Sequence, residues 1–113
     1  MSRYDRQTRF QPFGENGQTK LSNAHILVFG AGALGTHIID QLARMGTNHI
    51  DIIDMDIVEI SNLHRQTLYD EEDAYNLTSK VQAVKEKIKK INSNIAITAY
   101  DVEVNSSNIE DII

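Results

Sequence analysis

A glycine-rich segment that follows a short apolar run constrains the fold of this chain more than any other feature. Residues 25–29 (H-I-L-V-F) precede residues 30–35 (G-A-G-A-L-G), which fit the pattern G-x-G-x-x-G. Such glycines permit a tight turn between a buried strand and a helix, and they let the backbone approach a phosphate. This context predicts a nucleotide-binding loop with Gly30, Gly32 and Gly35, although a tight turn without a ligand is the alternative. A continuous apolar run also indicates a strand that is buried on both faces.

Helical and strand patterns alternate after the glycine loop. Apolar residues recur at helical spacing at Leu34, Ile38, Leu42 and Met45. Gly46 then suits a left-handed C-cap, and residues 50–53 form a second apolar run. Strand, helix and strand in this order predict a parallel α/β sheet.

The second half of the chain predicts one more helix and one more strand. A polar stretch, residues 59–76, comes first, and Thr78 or Ser79 can cap the helix that follows it. Residues 95–100 are predicted as a third strand, and residues 107–110 have capping-box spacing that starts a last helix. The apolar face of the main helix consists of Val81, Val84, Ile88 and Ile91.

The fold class predicted from this order is α/β: the first half of a Rossmann-like parallel sheet, with about three strands and flanking helices. Residues 1–23 are predicted as an N-terminal helical arm, in which Gly14 and Gly17 break the pattern and residues 18–21 form a short helix. Residues 24–113 are predicted as the N-terminal half of the nucleotide-binding domain, truncated at its C-terminus, because three strands are about half of a doubly wound sheet.

Composition excludes several classes of function. The formal net charge is −5, so the chain offers no broad basic field for nucleic acid. It contains no cysteine, which excludes disulfides, thiolate metal sites and a cysteine nucleophile within these residues. No signal peptide or run of membrane-spanning length is present, so we expect no membrane partner and a cytoplasmic location.

Asp54 lies about 20 residues after the glycine loop, at the end of the second predicted strand, where a carboxylate reaches the ribose hydroxyls of a nucleotide. Asp56 is either a second ligand contact or a solvated loop residue. Both features would suit NAD as well as ATP. The residues that favour ATP are Asn62, Arg65 and Gln66, because a triphosphate needs a planar guanidinium and amide donors. Lys80, at the start of the main helix, would add an ammonium group.

Several motifs in order resemble the ThiF/MoeB/HesA family of adenylating enzymes, relatives of the ubiquitin-activating enzymes. They are residues 3–7 (R-Y-D-R-Q), the glycine loop, residues 54–56 (D-M-D) and residues 61–66 (S-N-L-H-R-Q). The resemblance implies an N-terminal fragment of an enzyme that uses ATP to adenylate the C-terminal glycine of a ubiquitin-like sulfur-carrier protein, for molybdopterin or thiamine synthesis.

The resemblance also implies roles for individual residues. Gly32 and Ala33 would lie along the nucleotide and Asp54 would hold the ribose. Asn62, Arg65 and Lys80 would bind the phosphates, and Arg6 would reach the ATP of the neighbouring subunit in a homodimer. The resemblance places the aspartate that holds Mg²⁺ beyond the end of this chain, and it matches no metal ligand within it. We therefore expect these 113 residues to be inactive alone.

Two other functions fit parts of the sequence. An NAD-binding half of a dehydrogenase would use the glycine loop and Asp54, but it leaves Arg65 and Arg6 without a role. A non-catalytic dimerisation module would use the sheet and the arm. Adenylation of a carboxylate needs no general base, so the four histidines, His25, His37, His49 and His64, are predicted to be structural.

Overall fold

A computed structural model describes residues 2–66 and 68–112 of the chain. Met1 and Ile113, the ends of the predicted arm and domain, lie outside the described residues, as does Thr67 in the predicted polar stretch. The elements in chain order are α1 (Asp5–Thr8), α2 (Gly14–Asn23), β1 (His25–Phe29), α3 (Ala33–Met45), β2 (His49–Ile53), a 3₁₀ helix (Ile60–Asn62), α4 (Glu71–Tyr75), α5 (Lys80–Ile91), β3 (Ala96–Tyr100) and α6 (Ile109–Ile112).

The three strands form a parallel sheet in the order β1-β2-β3, which confirms the predicted fold class. His25 pairs with His49 across β1 and β2, and His49 pairs with Ala96 across β2 and β3. Alternate residues face α3 and α5, which pack on the same side of the sheet. The core between these layers includes Val28, Ile50, Ile52, Ile97, Ile39, Val84 and Ile88.

The opposite face of the sheet is more open than the sequence predicts. Residues His25, Leu27 and Phe29 point to this face, and Phe29 is 54% exposed. The prediction that the first strand is buried on both faces is therefore wrong for the described chain, because helices cover one face more fully than the other.

Helix α3 packs mainly through residues outside the apolar stripe that predicts it. Thr36, Ile39 and Ala43 are fully buried, whereas Leu34 is 73% exposed and Ile38 is 40% exposed. The stripe therefore correctly predicts the helix, but of its members it is Leu42 that packs against the core. The predicted C-cap is confirmed, since Gly46 has a φ of 101°.

Main helix α5 agrees with its pattern more closely. Val81, Val84 and Ile88 are buried, and Ile91 packs against them at the edge of the core. Ser79 is the N-cap, and its hydroxyl accepts a hydrogen bond from Gln82 N at 3.3 Å.

Several local structures differ from the sequence-based predictions. The N-terminal arm contains α2, which begins at Gly14 and includes Gly17, so neither glycine interrupts the helix as predicted. The polar stretch contains the 3₁₀ helix and α4. The Asn105 side chain closes the turn before the last helix by accepting from Ser107 N and Asn108 N. The Ser107 hydroxyl donates to Asn105 and does not cap the helix as predicted. None of the described helices has the length and apolar character needed to cross a membrane.

Hydrogen bonds fasten the arm to the C-terminal ends of α3 and α5. Arg3 donates to Ile91 O at 3.1 Å, and Gln7 donates to Met45 O at 2.7 Å. Tyr4 accepts a hydrogen bond from the Asn92 side chain at 2.9 Å. These donors satisfy carbonyl groups that a helix end leaves without partners, so the arm is part of the folded unit.

Asn92 connects the arm to the core, and its removal should destabilise the protein. Asn92 is 1% exposed, and its amide donates to both Ala43 O and the Tyr4 hydroxyl at 2.9 Å. We expect Asn92→Ala to lower the free energy of unfolding by about 2–3 kcal/mol in urea denaturation, because it leaves buried acceptors unsatisfied. Asn76→Ala, at an exposed helix end, is the control and should change stability by less than about 0.5 kcal/mol. Equal effects would contradict this role.

Candidate functional site

Local geometry of the glycine loop explains why glycines occupy it. Gly30 has a φ of 92°, a conformation that side chains rarely adopt. A Cβ atom at Gly35 would overlap the carbonyl oxygen of Gly30, so the loop closes tightly on the first turn of α3. A Cβ atom at Gly32 would meet nothing within 4 Å, so the N-terminus of α3 faces open space there. Ala33 is the first residue of α3.

Ala31, between the first two glycines, is held at both of its backbone polar atoms. Its N–H donates to Asp54 Oδ2 at 2.7 Å, and its carbonyl accepts from the Tyr69 hydroxyl at 2.5 Å. Ala31 is fully buried and Tyr69 is 7% exposed, so water does not compete for these bonds. The loop conformation is therefore set by two side chains from other parts of the chain.

A polar cavity of about 440 Å³ lies beyond the carboxyl end of β2. Arg65 and Lys80 supply its cationic groups, and Asn62 supplies an amide. The residues that line the cavity are Met55, Asp56, Ile57, Glu59, Asn62, Arg65 and Lys80. A cavity with a guanidinium, an ammonium and an amide can hold a multiply charged anion such as a polyphosphate.

Lys80 is held at the cavity by the chain around it. Its side chain is 8% exposed, and Nζ lies 3.8 Å from Asp56 Oδ2. Its backbone N–H donates to Asp56 O at 2.9 Å, and Ile57 bridges Ser79 in an antiparallel pair. Lys80 is therefore a positioned ammonium, unlike the exposed Lys89 and Lys90 on the same helix.

Asn62 is held by a local turn. It is 8% exposed, and its Oδ1 accepts from Glu59 N at 3.0 Å, which leaves its amide N–H₂ as a donor toward the cavity it lines. Arg65 follows in the next turn and is exposed. The 3₁₀ helix thus places an amide and a guanidinium close together.

A second, shallower cavity of about 240 Å³ lies beside Asp54. It shares Met55 with the polar cavity and includes Gly30, Val102 and Val104. Its lining is more apolar than that of the polar cavity, as a planar base requires. Asp54 therefore lies between an apolar surface and a cationic one, and this is the order of groups in a nucleoside triphosphate.

Five of the predicted site residues line neither cavity, and three of them, Gly32, Ala33 and Gly35, belong to the glycine loop and the start of α3. The other two are Gln66 and Arg6. Gln66 is 1% exposed, lines neither cavity, and has a buried Oε1 without a hydrogen-bond partner among the described residues. Arg6 is exposed on α1 and also lines neither cavity. Glu59 and Tyr69, by contrast, contribute to the site but were not predicted, because neither belongs to a motif that marks its role.

Tyr69 should give the stability of the protein a distinctive pH dependence. Burial, together with the charge of Asp54, raises the pKa of Tyr69 above its ordinary value of 10.0. Its contribution is fully present below about pH 10 and is lost as the pH rises, because only the unfolded chain then ionises. We expect the unfolding free energy of the wild type to fall by about 1.4 kcal/mol per pH unit above pH 10, relative to Tyr69→Phe.

Urea denaturation from about pH 8 to pH 11 measures this difference. At neutral pH, Tyr69→Phe should be less stable by about 1 kcal/mol, because it loses the bond to Ala31 O. Parallel pH profiles for the two proteins would show that Tyr69 is not held protonated in the folded state.

Comparisons with known proteins identify the family of this chain. Residues 4–113 match the model of the ThiF family. The chain is 41% identical over 111 residues to the Bacillus subtilis (strain 168) sulfur carrier protein ThiS adenylyltransferase, covering 98% of this chain and 33% of that protein.

Two solved structures are also similar to this chain. Escherichia coli MccB, crystallised with ATP, superposes with a TM-score of 0.87 at 32% identity, over 99% of this chain and 34% of MccB. Escherichia coli tRNA N6-threonylcarbamoyladenosine dehydratase, TcdA, in complex with AMP, gives 0.88 at 30% identity, over 96% of this chain and 43% of that enzyme. The chain thus spans between 33% and 43% of the length of these relatives. With a family match over nearly all of its residues, the chain belongs to the ThiF family.

Proposed function

We propose that this chain contributes the ATP site of an enzyme that adenylates the C-terminal glycine carboxylate of a small ubiquitin-like sulfur-carrier protein. The observation that carries the proposal is the convergence of Arg65, Lys80 and Asn62 on one cavity next to the glycine loop and Asp54. The name of the Bacillus subtilis relative, a ThiS adenylyltransferase, supports this class of reaction and of substrate. The carrier would be of the thiamine or molybdopterin type, and the reaction would take place in the cytoplasm.

The shape of the site suits ATP in one orientation. Each Asp54 oxygen accepts one backbone N–H, from Ala31 and from Asp56, and retains capacity to accept a ribose hydroxyl. The base would lie on the apolar surface beside Val102 and Val104. The phosphates would pass the open space at Gly32 and the N-terminus of α3, where Ala33 begins the helix, and would end at Arg65 and Lys80.

The reaction requires neutralisation of charge more than proton transfer. A C-terminal carboxylate has a pKa of about 3.3–3.7, so it is ionised at neutral pH and needs no general base. One of its oxygens forms a bond to the α-phosphorus, while the bond from that phosphorus to the bridging oxygen of pyrophosphate breaks. Arg65 and Lys80 would stabilise the negative charge that gathers on the leaving group.

Magnesium would add further positive charge at the phosphates when bound. The carboxylates that line the polar cavity are Asp56 and Glu59. Asp56 already faces Lys80, and Glu59 accepts from the Ser61 hydroxyl at 3.5 Å. We therefore assign no magnesium ligand among the described residues. The aspartate that the family resemblance implies as the Mg²⁺ ligand is a different residue from Asp56.

The arm supports a role for Arg6 in a homodimer. Arg3, Tyr4 and Gln7 of the same motif all bond to their own chain. Arg6 forms no side-chain hydrogen bond or ion pair with the described residues, and its side chain is exposed on α1. The fastened arm would thus present the Arg6 guanidinium outward, which suits a contact with the ATP of a neighbouring subunit.

The positioned cations should be essential for adenylation. We expect Arg65→Ala and Lys80→Ala each to lower carrier-dependent ATP–pyrophosphate exchange by about 100-fold or more in the complete encoded protein, because each removes charge stabilisation from the transition state. Lys89→Ala is the matched control on the same helix and should leave the exchange rate unchanged. Unchanged exchange in both test variants would sink the proposal.

A subunit-mixing experiment tests Arg6. If Arg6 serves the partner's site, Arg6→Ala and Lys80→Ala are each inactive, but a mixed dimer of the two has one intact site. Equal mixing and re-equilibration should restore about a quarter of the wild-type exchange rate, since half of the dimers are mixed. No recovery on mixing, with dimers present by size-exclusion chromatography, would place Arg6 outside the partner's site.

The alternative functions predicted from the sequence are less well supported. A dehydrogenase half-domain would leave the Arg65 and Lys80 cavity unused, and the ThiF family match favours adenylation. Calorimetric titration with ATP and with NAD separates these two ligands directly. A dimerisation module without catalysis would bind neither nucleotide at the cavity.

A further inference from the structure

Two histidines and an aspartate meet on the face of the sheet opposite α3 and α5. His25 and His49 are paired residues at the starts of β1 and β2. Asp51 follows His49 by two positions in β2 and so points to the same face. The register of two parallel strands therefore brings together three side chains that the sequence separates.

Distances between these groups are short. His25 Nε2 lies 2.8 Å from Asp51 Oδ2, and His49 Nε2 lies 3.3 Å from Asp51 Oδ1. The two imidazole rings stack with their centroids 3.8 Å apart. One nitrogen or oxygen atom from each residue lies within 4.8 Å of the others. Three potential metal-ligand atoms thus already converge.

Asp51 is the unusual member of the cluster. It is 5% exposed, and its Oδ1 has no hydrogen-bond partner among the described residues. Among the described residues, no lysine or arginine lies within ion-pair distance of Asp51. The basic side chains at that distance are His25 and His49. A buried carboxylate is costly unless a cation or hydrogen bonds compensate it. Oδ1 accepts no hydrogen bond from the described residues, and the side-chain nitrogen of His49 lies 3.3 Å from it.

We propose that His25, His49 and Asp51 bind a divalent transition-metal ion, with Zn²⁺ as the best-suited one. Two imidazole nitrogens and a carboxylate oxygen form a donor set that zinc accepts at about 2.0–2.2 Å, so neighbouring ligands of a tetrahedral ion lie about 3.3 Å apart. The separation of His49 Nε2 and Asp51 Oδ1 is 3.3 Å, that of His25 Nε2 and Asp51 Oδ2 is 2.8 Å, and all three ligand atoms lie within 4.8 Å of one another. The metal would neutralise Asp51 and take up its unpartnered oxygen.

The surroundings leave room for a fourth ligand. A cavity of about 180 Å³ adjoins the cluster and is lined by His25, Leu27, Asp51 and Ile112. The side chains of His25 and His49 are 55% and 45% exposed, so both rings can rotate toward an ion. A three-residue site with an open position can hold a water molecule or a small ligand on the metal.

The site is separate from the nucleotide site. His25 and His49 lie at the amino ends of their strands, whereas Gly30 and Asp54 follow the carboxyl ends. The length of β1 alone separates these ends by about 13 Å. Metal binding can therefore be tested without nucleotide or carrier protein, and its outcome is independent of the proposed adenylation.

The test is calorimetric titration of the 113-residue chain, purified without a histidine tag, with ZnCl₂. We expect one Zn²⁺ per chain. His25→Ala, His49→Ala and Asp51→Asn should each weaken binding by at least about tenfold, since each removes one of three ligands. His37→Ala, an exposed histidine on α3, is the matched control and should leave the affinity unchanged. Co²⁺ titration followed by visible absorption gives a second readout of the ligand set.

Several results would overturn the assignment. The first is the absence of stoichiometric Zn²⁺ binding to the wild type. The second is wild-type affinity in all three variants. The third is a loss of affinity in His37→Ala as large as that in the three variants, which would indicate adventitious surface binding. Far-UV circular dichroism checks the fold of each variant. If Asp51→Asn does not fold, the His25 and His49 variants decide the question, because both positions are partly exposed and their loss leaves the core intact.

Discussion

The Asp54 carboxylate joins the two halves of the candidate site. One oxygen accepts from Ala31 N at 2.7 Å, and the other accepts from Asp56 N at 2.9 Å. The first bond fixes the glycine loop after β1, and the second fixes the segment after β2 that leads to the cationic cavity. A single side chain thus fixes both the glycine loop and the segment that leads to the cavity. The same two bonds hold the carboxylate in one orientation.

One residue, Asp56, likewise holds two groups at the cationic cavity. Asp56 contributes its carbonyl to the backbone N–H of Lys80 and its carboxylate to the Lys80 ammonium. The bridge between Ile57 and Ser79 keeps the loop and the start of α5 side by side. Because Asp56 is 65% exposed at its side chain, its ion pair with Lys80 is weak, and an arriving phosphate can compete for the ammonium. The cation is therefore positioned without being neutralised.

Sequence patterns predicted the parts of this site that are local in the chain. The glycine loop, Asp54 and the start of α5 depend on residues a few positions apart, and their motifs identify them. The clamp from Tyr69 to Ala31 joins residues 38 positions apart, and the bond from Asn92 to Ala43 joins residues 49 apart. No periodicity marks such contacts, because they depend on how elements pack. The buried position of Gln66 could not be predicted for the same reason.

Helix α3 shows a second limit of periodicity. Leu34, Ile38 and Met45 form a regular apolar stripe, yet each is at least 40% exposed. The buried stripe contains Thr36 and Ala43, whose small size lets the helix approach the sheet closely. The Thr36 hydroxyl donates a hydrogen bond to Gly32 O at 2.6 Å. A hydropathy pattern favours the larger residues, whereas close packing beside the glycine loop favours the smaller ones. Close packing of α3 beside the glycine loop is therefore the reason that a hydropathy pattern does not identify the packing face of this helix.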